Sequence, residues 1–226
     1  DKRSKFIHYF PNILAINNIE FDHADIFDDL TPILKQFSHL LRTIPANGQV
    51  VFHENDQTTK HLVDKENWFD VYSIGNDKKF YYDETKNLFI FNGKEYDLDE
   101  LPFFGEHNYK NALMAMCLAY LCDVPYEESF QALKNYTGVK RRLEVIFQGN
   151  THLVYDDFAH HPTAIEAVSE AVKSKHASKM NVRAVLLLPP FFYKNVSDEG
   201  VINYYRNIIE SVEDQTFQYI LYHIHT

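Results

Sequence analysis

Three short runs of polar residues interrupt otherwise apolar sequence, and each carries side chains able to do chemistry. The first is Asn17, Asn18, Glu20, Asp22, His23 and Asp25, at the end of and just beyond the apolar run Ile13 to Ile19. Glu20 and His23 could face one divalent cation, the carboxylate as a hard oxygen ligand and the imidazole as a nitrogen ligand. An acidic loop capping the next helix accounts for the same residues. The second run is GEHNYKN, Gly105 to Asn111, at the start of an apolar helix. Asn108 and Asn111 are three apart and share a helix face, and the N-H groups of a first turn favour an anion or a ring acceptor. An amide both donates and accepts, which reading an adenine edge requires. The third run is YDDFAHHP, Tyr155 to Pro162, with Lys140, Arg141 and Arg142 upstream. Carboxylates at a strand end suit ribose hydroxyls, a His pair suits phosphate or metal, and Arg suits a developing phosphate charge. A solvated loop before a helix, with Pro162 at the first helical position, is the plainer account.

The elements that must position these runs are readable from periodicity. ILAINNI reads as a strand, and Leu30 to Leu41 has apolar residues at helical spacing, with Thr31-Pro32 suiting an N-cap and first position. PANG turns into the strand QVVFHE, so the chain opens strand, helix, strand. From about Trp68 to Leu101, Tyr/Phe-rich segments punctuated by Gly75-Asn76, Asn87 and Asn92-Gly93 predict antiparallel hairpins. Two helices follow, the first nearly all apolar and the second opened by Pro125. A boundary is expected near residues 139 to 150. Beyond it, HLVYDDF, PTAIEAVSEAVKSKH, VRAVLLLPP, VINYYRNIIESV and FQYILYHI alternate strand and helix, which predicts a parallel sheet with right-handed crossovers. Carboxyl ends of such strands are where open parallel sheets bind ligands.

Composition narrows the function. The 226 residues are 45% hydrophobic and 24% charged, with 7 Gly and 8 Pro, the profile of a folded globular chain. A formal charge of -10 repels a polyanion, so nucleic-acid binding is not expected. No stretch approaches the roughly 18 consecutive apolar residues of a membrane span. Cys117 and Cys122 form neither a CxxC metal pair nor a disulfide framework, and a cytoplasmic location fits best.

NNIEFDHADIF, GEHNYKNALMA, GVKRRLE and VYDDFAHHPTAI, in that order, resemble the Mur ligases, and within them the peptidoglycan-recycling branch. The resemblance implies an α/β chain: part of a central ATPase domain over 1-140, a mixed sheet with helices and antiparallel hairpins, then part of a Rossmann-like C-terminal domain over 141-226. It implies ATP and Mg2+ as cofactors, and UDP-N-acetylmuramate and a murein tripeptide as substrates. By resemblance His23 is a magnesium ligand, with Glu20 as a further candidate and Asn18 in the family's matching Asn position. His107, Asn108 and Asn111 contact adenine. Arg142 approaches the ATP phosphates, and Asp157 and His160 reach the nucleotide from the C-terminal domain. The implied reaction is acyl phosphate formation on the muramyl carboxylate, followed by attack of the peptide amine.

The chain also departs from the family pattern. No Gly-Lys-[Ser/Thr] occurs, so the phosphate loop, with its lysine and metal-binding hydroxyl, is missing. The resemblance starts just after where the family places that loop, and PPFFYKN at 189-195 stands where an Arg-bearing segment is expected. The chain is therefore expected to represent the second half of a ligase, without ligase activity alone, and its uncovered edges are expected to favour homo-oligomers. A non-catalytic nucleotide-binding or remnant module is the alternative. A metal hydrolase using His23, His160 and His161 is a third reading.

Overall fold

The structure is a computed structural model that describes residues 5–21, 28–66, 68–75, 78–148, 153–159, 162–176, 184–187, 197–211 and 218–221. The chain divides into two compact units, Asp1–Pro102 with Tyr109–Tyr136, and Phe103–Asn108 with Thr137–Thr226.

In the first unit, β1 (Ile13–Ile16), β2 (Gln49–His53) and β3 (Asp70–Ile74) form a parallel sheet in that order, with Ile16 level with Phe52 and Phe52 level with Ser73. Parallel neighbours need crossovers, which α1 (Leu30–Leu41) and α2 (Gln57–Asp64) supply. The middle strand is buried on both faces: Val50 and Val51 are wholly inaccessible and Phe52 nearly so. Val50 and Phe52 join Ile16, Leu41, Leu62 and Val63 in one core.

Three sequence expectations change here. Helix α1 is capped by Asp29, whose carboxylate accepts from Thr31 N at 2.7 Å, rather than by Thr31. Pro32 thereby falls inside the first turn, where a missing N-H costs nothing. Helix α2 was not anticipated. It is capped by Asp56, which accepts from Thr59 N at 3.0 Å. Its presence makes β3 parallel to β2 instead of part of the antiparallel region.

The hairpins are otherwise as expected. Strands β4 (Phe80–Asp83), β5 (Leu88–Phe91) and β6 (Lys94–Asp97) form an antiparallel meander. Phe91 pairs with Lys94 across Asn92 and Gly93, both at positive φ, the backbone that a two-residue hairpin turn requires. Phe89 and Phe91 are wholly buried. Their rings meet Tyr109 and Tyr120 of α3 (Glu106–Leu121) and Tyr126 of α4 (Tyr126–Lys134), so the meander forms a seat for both helices.

The second unit contains β7 (Glu144–Gln148), β8 (Leu153–Asp156), α5 (Pro162–His176), β9 (Ala184–Leu187), α6 (Asp198–Ser211) and β10 (Gln218–Leu221). Strands β9 and β10 pair in parallel across α6, as the alternation predicted. Strand β7 instead pairs antiparallel with β8, because Gln148 and Leu153 are too close in sequence for a crossover. Ile165 of α5 and Tyr205 of α6 pack with Ala159, Val201 and Tyr204.

Gly105, at the entry to α3, has φ +95°. A Cβ there would sit 2.7 Å from Ala171 Cβ of α5 and 3.1 Å from His107 Cε1. Gly105→Ala therefore combines left-handed strain with a backbone-borne clash, and should destabilise this unit by about 2 kcal/mol. Urea unfolding followed by a probe in the second unit measures this, and a loss under about 0.5 kcal/mol would contradict it.

Candidate functional site

Beyond the carboxyl ends of β1 and β2 the parallel register sets Asn17 beside His53. His53 Nε2 lies 3.1 Å from Asn17 Oδ1, and Asn17 Nδ2 donates to Asn111 Oδ1 of α3 at 2.8 Å. Alongside, Asn18 Nδ2 donates to Glu20 Oε1 at 3.0 Å. Burial, helped by the Lys110 ammonium, holds the His53 ring below its ordinary pKa, with Asp56 opposing. Strand end and helix start thus share the amide pair Asn17 and Asn111, with the His53 imidazole bonded behind Asn17. Of the expected site residues, Asn111 is joined to this strand end through Asn17, and Asn18 and Glu20 pair with each other next to it. His23, with Asp22 and Asp25, lies outside the described residues.

Glu20 suits a hard cation, since Mg2+ is commonly held by one or two carboxylates, waters and substrate phosphates. Among the described residues no group of three His, Cys, Asp or Glu forms a closed metal site.

The remaining candidates gather in the second unit. His107, in the first turn of α3, is kept below its ordinary pKa by burial, with Asp157 opposing and Arg142 assisting. Asn108 turns its Nδ2 back to Phe104 O at 2.8 Å, so the two asparagines of the motif take different partners. Asp157 is an anchor: its Oδ2 accepts from Leu143 N and its Oδ1 from Ala159 N, both at 2.8 Å. Arg142 Nη1 lies 3.7 Å from the same carboxylate, between Arg141 and Leu143, which both have positive φ. The Arg141 guanidinium covers the Phe158 ring at 4.8 Å. His160 and His161 lie outside the described residues, as does 189–195.

Sequence reasoning passed over His53. The available signal was positional: it ends β2 at the level where the polar run begins after β1. A cavity of about 530 Å³, lined by Gln49, Tyr72, Tyr120 and Tyr126, includes the first residue of β2 and so marks the opposite end of that strand. Cys117 is no nucleophile, because burial pushes its thiol up to about 12.

Residues 2–119 match the family model of the Mur ligase middle domain. Residues 163–226 match a second model, the dihydrodipicolinate synthetase family, and this span includes the 189–195 segment where the Mur pattern breaks. The chain is 41% identical over 191 residues to the UDP-N-acetylmuramate–L-alanyl-γ-D-glutamyl-meso-2,6-diaminoheptandioate ligase of Haemophilus influenzae, and 40% identical to that of Escherichia coli. These alignments cover 82% of this chain and 42% of each relative, so the chain spans less than half the length of the ligases it matches. The crystal structure of a murein peptide ligase from Psychrobacter arcticus superposes with TM-score 0.62 at 26% identity, covering 98% of this chain and 52% of that one. Middle-domain match, ligase relatives and shared architecture agree: this chain belongs to the Mur ligase family.

Proposed function

We propose that this chain is the nucleotide-contacting portion of an ATP-dependent ligase that joins a murein peptide to UDP-N-acetylmuramate in the cytoplasm. The observation that carries the reading is Asn111, on the helix whose motif implies base recognition, bonded to Asn17 at the carboxyl edge of the parallel sheet. In the reaction, a lactoyl carboxylate oxygen bonds to the γ-phosphorus of ATP and ADP leaves. The peptide amine then attacks the acyl carbon, phosphate leaves and the amine proton is lost. Asn111, His107 and Asn108 contact the base. Asn18 belongs to the cofactor site, and Arg142 offsets phosphoryl charge. His160 completes the nucleotide contacts, and Asp157 acts through the loop it anchors. Glu20 and His23 would hold Mg2+, which supplies charge neutralisation when bound. Domain 1-140 is assigned to the ATPase portion and 141-226 to the C-terminal portion, and no role in the chemistry is assigned to 189–226. Among the described residues no helix is long and apolar enough to cross a membrane.

Calorimetric titration with ADP, and a ligation assay with ATP, UDP-N-acetylmuramate and tripeptide, test this reading. This chain should bind ADP without ligating, and Asn111→Ala should weaken binding about tenfold, the equivalent of roughly 1.4 kcal/mol. Absence of ADP binding defeats the nucleotide reading, and ligation by this chain defeats the expectation of inactivity.

A further inference from the structure

The hydrogen bonds at the carboxyl edge of the first unit have a direction. An amide oxygen only accepts, so with Asn17 Oδ1 3.1 Å from His53 Nε2, that ring nitrogen carries the hydrogen and donates. Asn17 then donates from Nδ2 to Asn111 Oδ1, and among the described residues the NH2 of Asn111, itself exposed, meets no acceptor and can be offered to a ligand. The reverse direction is equally self-consistent: with its hydrogen on Nδ1 alone, His53 accepts at Nε2, Asn17 turns over, and Asn111 turns over behind it. The position of one ring hydrogen therefore selects which end of the Asn111 amide is presented.

We propose that His53 is a positioning residue for nucleobase recognition: through Asn17 it fixes the direction of the Asn111 amide, and with it the choice between a 6-amino and a 6-oxo purine. The proposal rests on the reading of Asn111 as a base contact. An Asn111 NH2 held toward the ring N1 discriminates between the two purines, because N1 accepts in a 6-amino purine and carries an N-H in a 6-oxo purine, whereas an amide that turns over accommodates both. The register pairing Ile16 with Phe52 keeps His53 and Asn17 side by side, so the relay is built into the sheet. Among the described residues, the charged groups facing the ring are Lys110 of α3 and Asp56 at the start of α2. With burial, Lys110 disfavours the doubly protonated ring, leaving a neutral imidazole with a single ring hydrogen.

The test is titration of the full chain with ADP and with IDP, for the native protein, His53→Phe and His53→Gln, together with long-range 15N–1H spectra of His53. The native ring should be the Nε2-H tautomer. His53→Phe should cut the preference for ADP over IDP about fivefold to tenfold, the scale of one hydrogen bond. His53→Gln, whose NH2 can donate to the same Asn17 oxygen, should restore most of it. An unchanged ADP to IDP ratio in folded His53→Phe, or a native Nε2 that accepts, overturns the proposal. If the native chain binds neither nucleotide, the base-contact reading fails by itself. The relay is then decided by the Asn111 side-chain amide resonances, and their indifference to His53→Phe overturns it.

Discussion

Phe89→Ala should destabilise the first unit by about 3–5 kcal/mol and, at temperatures where the chain still folds, weaken nucleotide binding as well. Phe89 is the middle residue of a three-strand row: it faces Tyr82 on β4 and Tyr96 on β6 and has no accessible surface. Its ring meets Tyr82 and Tyr109 edge-on at 6.3 and 6.2 Å, the arrangement that aromatic quadrupoles favour. Truncation removes the transfer energy of a whole ring and leaves a cavity between sheet and helix. Tyr109 lies two residues before Asn111 on α3, so the helix turn that carries the proposed base contact rests on this ring. Urea unfolding monitored in the first unit gives the stability term, and ADP titration gives the functional one. Val71→Ala, at a side chain 46% exposed, should change stability by no more than about 0.5 kcal/mol. A Phe89→Ala cost below about 1 kcal/mol would mean that the meander is not the seat of α3.

What was legible in the sequence was whatever local chemistry decides. Asn92-Gly93 announced its hairpin because both residues tolerate positive φ, and Leu30 to Leu41 announced its helix through spacing. Helix α2 escaped because QTTKHLVD buries only Thr59, Leu62 and Val63, too few for an apolar stripe to show. Its one local mark was Asp56 three residues before Thr59, a capping spacing. Missing that helix misplaced β3, since the segment's tyrosine looks like those of the hairpins while its pairing is set by the crossover before it. Strand β7 was not legible within the boundary expected near residues 139 to 150, because Val145, Ile146 and Phe147 face solvent and no alternation marks an element so exposed. The polar runs of the candidate site were legible because they interrupt apolar strands. The partnership of His53, Asn17 and Asn111 was not, because it follows from a parallel register and a helix docking that join residues 36 and 94 positions apart.

Asp157 carries the other large effect. Read from sequence it is a nucleotide ligand, yet its carboxylate, 12% exposed, is committed to two backbone N-H groups, one of them at Leu143, 14 residues back. Leu143 has φ 49° and Arg141 φ 59°, conformations that cost an L-residue roughly 1–2 kcal/mol each and persist only where the surroundings insist. The carboxylate is that insistence on the Leu143 side, and Arg142 is held between the two strained residues. Asp157→Ala leaves two donors without their acceptor, and should cost the second unit about 2–4 kcal/mol. Asp157→Asn keeps one acceptor oxygen and turns an NH2 toward the other donor, so it should fall between the native chain and the alanine variant. Arg142→Ala, which removes an ion pair at 3.7 Å from a side chain 57% exposed, should cost less than about 1 kcal/mol. The two neighbours then separate by readout. Asp157→Ala shows its loss in unfolding, with any loss of nucleotide affinity following from the released loop. Arg142→Ala leaves unfolding nearly unchanged and shows its loss only where a phosphate is bound. Equal unfolding costs for the two variants would mean that Asp157 does not hold the loop, and its carboxylate would return to the role of a direct ligand.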